Sequence, residues 1–334
     1  MKQRVRNILT IAAGAMLFAA CGGSSDDGGG LTGGTPGSEP ATITARNAPV
    51  IAGAVAEVAM GQGIFSSIFT TDIPIASSGF DAAVAPVAKP VLSAAMKTAA
   101  PTRLYATSAG QAECAVSGTV DVQVDIRDPA QPSVNDTFVF EFINCDDGTG
   151  VVVDGGMTIT ITGLDGDVAS GNFVLGMQIG FSAFAVTEGG ETASAEGTIS
   201  ITIDTSAPPV TRIAVSATTL VTTSDGMEEV LTSFSVEIVE DASTFPTTVT
   251  VETSFTVSSP RIGGEVTVTT SLALQSMGDG YPFAGELHIE GAGNAVIVMI
   301  ALDADTVRLQ IDVDGDGATD ETIDMTWDEL MAAA

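Results

Sequence analysis

Between Asp312 and Asp320 the chain reads Asp-Val-Asp-Gly-Asp-Gly-Ala-Thr-Asp. Carboxylates therefore stand at positions 1, 3, 5 and 9 of a short loop, with a glycine at position 6. At that spacing the side chains of Asp312, Asp314, Asp316 and Asp320 converge on one point, and Gly317 permits the sharp turn that brings them round. Hard oxygen donors gathered in this way suit a hard divalent cation, with Ala318 at position 7 offering its carbonyl.

The loop resembles the calcium loops of EF-hand and dockerin proteins, and the resemblance implies calcium. It also departs from them. Position 12 is Ile323, where those families place a bidentate Glu, and Glu321 and Asp324 fall off register. The incoming residues 307–313 alternate like a strand rather than a helix. Two outcomes stay open: a structural calcium site completed by water, or a solvated acidic turn without metal.

Other chemistry is scarce. The single histidine, His288, lies between Leu287 and Ile289 and should point to the wet side of a strand. One histidine rules out a two-histidine zinc site, and a Ser-His-Asp triad would have to use it. Gly61-Gln62-Gly63 has no strand before it, and no nucleophile elbow or P-loop is present. Paired acids such as Asp146-Asp147, Glu228-Glu229 and Glu240-Asp241 would allow glycoside chemistry by count. Sugar-cleaving sites present aromatic platforms, however, and the chain has one Trp and two Tyr. Each acidic pair reads as a solvated turn, and no enzymatic activity is expected.

The cysteines fall into two groups. Cys114 and Cys145 form an even pair and are expected to be bridged. That bridge closes a loop of about 30 residues and contributes roughly 3–4 kcal/mol. Cys21 follows basic residues Lys2, Arg4 and Arg6 and an apolar run over residues 8–20. The run is about 13 residues, short of the roughly 20 that span a bilayer. Leu17-Phe18-Ala19-Ala20-Cys21 resembles the lipobox of bacterial lipoproteins, with Phe18 at the place where that family usually has Leu. The resemblance implies a covalent lipid on Cys21, and Gly22 after it fits export to the outer membrane in two-membrane bacteria.

Composition bounds the partners. The net charge is −31, and the leader removes only basic residues, so the exported chain is more acidic still. Such a surface repels phosphate backbones, which excludes nucleic acid, and also repels anionic lipid head groups. The body is expected to be a monomer that meets the membrane through its anchor.

The elements divide into a leader (1–20), a Gly/Ser-rich flexible tether (21–40), an Ala-rich helical segment (41–110) and an antiparallel β-domain (111–334). In the helical segment, Asn47 and Pro49 open a helix that ends before Gly61, aligning Ile51, Val55 and Val58. A second short helix is expected over 90–98. Beyond residue 115 apolar and polar residues alternate through segment after segment, separated by Asp-Gly and Gly-rich turns. That pattern gives a mainly β fold, an antiparallel meander of about twelve strands, as a curled, barrel-like sheet or as a sandwich. A transmembrane barrel lacks its aromatic girdles here. In style the chain resembles β-rich lipoproteins of Gram-negative bacteria. That implies a structural or binding role at the outer membrane; the alternative is a carrier holding an apolar ligand against positions such as Phe138, Phe140, Phe173, Met177, Phe181 and Leu272.

Overall fold

A computed structural model describes residues 39–60, 108–127 and 133–334, apart from positions 147, 149, 168, 169, 225 and 279. Cys21, the leader, all but the end of the tether, and the helix expected over 90–98 lie outside the described residues.

The β-domain is one antiparallel sheet whose fourteen strands follow chain order without a crossover. Its first strands are β1 (Ser108–Glu113), β2 (Ser117–Asp125), β3 (Thr137–Asp146), β4 (Val151–Asp167) and β5 (Asn172–Glu188). The middle of the sheet is β6 (Glu191–Ala207), β7 (Val210–Ser224), β8 (Met227–Asp241), β9 (Thr248–Ser259) and β10 (Gly264–Met277). The last are β11 (Ala284–Glu290), β12 (Val296–Ala301), β13 (Thr306–Asp312) and β14 (Glu321–Thr326). This is the meander, and the sheet stays open: β1 and β14 are its two ends. Both edge strands carry a weak pattern, because an edge has less to bury. In β14 no residue is buried, and β1 buries only Ala112.

Period-two alternation builds the apolar face. Ile161, Met177, Ile201, Val215 and Val236 form one continuous cross-strand row over β4–β8, each of them buried. Such rows are the stabilising unit of a sheet. The opposite face presents Thr160, Gln178, Ser200, Ser216 and Ser235 in register.

A band of irregularities crosses the strands. Register shifts fall at Gly118 in β2, Asn144 in β3, Gly155 in β4, Ala183 in β5, Gly197 in β6 and Ser233 in β8, all with positive φ. Bulges bend strands and strengthen twist, so the long strands curve together. They also change phase. Leu272, expected on the inner face, is 60 % exposed, because β10 shifts register on both sides of it.

Helix α1 (Ala48–Ala59) packs against β12 and β13. Ile51 and Val55 are fully buried, and so are the alanines around the helix, as expected of a helix that is apolar on all sides. Asn47 does not cap it through its side chain. Its carboxamide instead accepts from Thr44 N at 2.8 Å and donates to Thr42 O at 2.9 Å, fixing the turn before the helix. Residues before α1 are already part of the sheet: Pro40 bridges to Glu265, and Ala292 N donates to Ala41 O.

A second helix, α2 (Trp327–Ala333), ends the chain and packs on α1. Gly53 of α1 allows this approach, since a Cβ there would press on the Leu330 carbonyl. On the other side, Arg261 ties α1 to the sheet. Its guanidinium donates to Glu229 of β8 at 2.8 and 3.0 Å and to Glu57 of α1 at 3.2 Å. Burial works against that charge, but the two carboxylates outweigh it and raise its pKa.

Candidate functional site

The acidic loop joins β13 to β14. Three of its carboxylates, Asp312, Asp314 and Asp320, have ligand atoms within 4.8 Å of one another. Asp316 stands outside that group and turns its Oδ1 to Ala318 N at 2.8 Å.

Backbone amides organise the cluster. Asp312 accepts from Gly315 N and Gly317 N, both at 2.8 Å, one on each carboxylate oxygen. Asp320 accepts from Val313 N at 2.9 Å, and its own N donates to Ile311 O at 2.8 Å. Gly315 has φ of 72° and sits against Gly293 and Asn294, so the loop is braced by the β11–β12 connection. An ionised carboxylate offers about four lone-pair sites. These amide bonds therefore leave Asp312, Asp314 and Asp320 free to donate to a cation as well. The residues fit a hard divalent ion, with fewer side-chain ligands than the spacing alone suggests.

For Asp312 desolvation opposes ionisation, but the amides of Gly317, Gly315, Asp314 and Asp316 prevail and hold its pKa below the ordinary carboxylate range. A depressed folded pKa contributes stability above the unfolded value, and that contribution is lost as pH falls through the folded one. The Gly315 and Gly317 amide resonances should accordingly titrate together, with a midpoint below that of an ordinary aspartate. A midpoint at the ordinary value would show that these bonds do not hold the loop in solution.

The other singled-out groups lie apart from this loop. Cys114 and Cys145 are joined in a disulfide, with Cα atoms 5.4 Å apart, clamping the β1–β2 turn to the end of β3. His288 is partly exposed on β11, 3.6 Å from Glu290. Of the acidic pairs, Asp146 accepts from Gly148 N, Asp241 from Ser243 N, and Glu229 belongs to the Arg261 cluster. The first two hold local turns, whereas Glu229 lies within β8 and not in the expected solvated turn, and it joins distant parts of the chain through Arg261.

Some features escaped the pattern reading. Helix α2 was announced by Thr326-x-x-Glu329, a capping box in which each side chain bonds the other's backbone N–H. Two open grooves also lie on the polar face. One of about 580 Å³ is lined by Gln178, Thr198, Ser200, Ser216 and Ser233, among others. The second, about 470 Å³, lies beside β1 near Asp121 and Glu141. Among the described residues no helix is long and apolar enough to cross a membrane. No family model, curated protein or solved structure matches the chain.

Proposed function

We propose that this chain is an exported lipoprotein, anchored at the outer membrane through Cys21, whose β-domain has a non-enzymatic structural or binding role. The observation that carries the reading is the inner face. Phe140, Phe173, Met177 and Phe181 are all buried there in one continuous core with α1, so side chains of this chain occupy the positions a cargo would need. Of the two grooves described above, one is lined by outer-face hydroxyls and the other by Asp121, Gln123, Val139 and Glu141.

A carrier of an apolar ligand is the second reading. It is favoured by one observation: among the described elements, α1 packs chiefly on α2, β12 and β13, whereas the apolar row extends over β4–β8.

Native mass spectrometry of the full protein in detergent separates the two. Chain plus anchor mass supports the scaffold. An additional apolar mass, released by denaturation, overturns it in favour of the carrier. Metabolic labelling with a fatty acid tests the anchor on its own, and Cys21→Ser should abolish the label.

We also propose calcium in the acidic loop, in a structural role. Calcium should raise the melting temperature, and Asp312→Asn or Asp320→Asn should remove that rise. Asp316→Asn should leave it in place, because Asp316 lies outside the carboxylate group. A rise that survives Asp312→Asn would place the ion elsewhere.

A further inference from the structure

The end of the sheet away from Glu39 presents three neighbouring hairpin tips. The β8–β9 turn carries Phe245, which is fully exposed at 102 %. Ala207, Pro208 and Pro209 of the β6–β7 turn, Ala242 and Pro246, and Met277 at the end of β10 are exposed beside it. The tips are bonded together: Ala242 N donates to Pro209 O at 3.2 Å, and Gly278 N to Thr247 O at 2.9 Å.

The turn itself is held rigid. Thr248 N donates to the Thr244 hydroxyl at 3.1 Å, and that hydroxyl lies 3.1 Å from the carbonyls of both Asp241 and Pro246. Ser243 N donates to Asp241 at 2.8 Å. A turn so well fixed, with an apex aromatic that packs on nothing, is a preorganised anchor of the kind that dominates protein interfaces.

We propose that the Phe245 tip docks into an apolar socket, with a neutral or basic rim, on a protein partner. The inference rests on reading the chain as a binding domain. Two arguments select this occupant. Asp204 and Asp241 stand behind the tip in a chain of charge −31, so an anionic bilayer or a second copy would meet like charge. The chain also enters the sheet at Glu39–Ala41 beside Glu265. That is the other end of β9 and β10, about 40 Å away for a 12-residue strand, so the tip faces away from the point where the chain joins the sheet.

The test places a photo-crosslinking phenylalanine analogue at position 245 in the full chain in its own cells, with position 227 as the control. The expected result is a discrete protein adduct from 245 alone, lost when Met277→Asp or Pro209→Asp is added. The purified partner should bind the wild-type chain, and Phe245→Ala should weaken that binding about thirtyfold while Phe245→Tyr preserves it. Adducts only with lipid, only with a second copy, or with nothing overturn the proposal, as does an adduct indifferent to Met277→Asp. Repeating the experiment with Cys21→Ser separates failure of the tip from failure of the anchor.

Discussion

Gly155→Val is expected to destabilise the protein by about 2–5 kcal/mol, from left-handed strain of roughly 1–2 and overpacking of roughly 1–3. Gly155 has φ of 89° in β4. A Cβ there would run into the carbonyl of Ala183, backbone of the paired strand that itself has φ of 47°. Neither partner can yield without breaking the ladder around the shift, between Asp154/Gly156 on one strand and Phe181/Phe184 on the other. Since a domain is stable by only about 5–15 kcal/mol in total, the loss should show as a large drop in denaturant midpoint. Gly163 in the same strand is the control, because its φ is ordinary and a Cβ there finds nothing nearer than 4.0 Å. Gly163→Ala should leave the midpoint almost unchanged. Equal midpoints for Gly155→Val and wild type would mean that the band of bulges is not a fixed feature of the fold.

That band marks where sequence reading reaches its limit. Alternation at residues 120–126 or 199–203 names strands without ambiguity, because each has one buried and one wet face. The same logic fails at Leu272, where a shift in β10 turns an apolar residue outward; a period-two count carries no signal for a residue inserted out of phase. Helix α1 was legible from Asn47, Pro49 and Gly61, yet Asn47 serves the preceding turn instead of the helix N-terminus. The acidic loop was legible as an element, but which of its carboxylates gather was not. Asp316 has the right spacing and belongs to a local turn, because spacing fixes where a residue sits along a loop and not which amide its carboxylate meets first. Arg261 had no local pattern at all: its partners Glu57 and Glu229 come from distant parts of the chain. Phe245 reads as an ordinary turn aromatic until the neighbouring tips are seen beside it.

The other large effect is expected at Trp327, the only tryptophan in the chain. It is 1 % exposed at the first position of α2. Its indole Nε1 donates to Pro282 O at 3.1 Å and lies 3.3 Å from Asp303 O, joining the β10–β11 and β12–β13 turns. Tyr281 stacks on it with centroids 5.7 Å apart and donates its hydroxyl to Asp328 at 3.0 Å. Burial and that carboxylate raise the Tyr281 pKa above its ordinary value. The ring is therefore a clamp between turns and helix, not a platform for a sugar. Trp327→Ala should cost about 3–5 kcal/mol, the usual range for emptying a buried aromatic site. Trp327→Phe keeps most of the apolar contact but leaves buried carbonyls without their donor, at about 1–3 kcal/mol. The lost clamp also reaches α1, because α2 is the helix against which Gly53 rests. Denaturant midpoints followed by circular dichroism should fall in the order wild type, Phe, Ala. An alanine variant as stable as wild type would mean that the C-terminal helix is not part of the cooperative core. In the wild-type protein the tryptophan emission should shift to the red in the same transition as the circular dichroism, since one residue then reports both the turns and the helix.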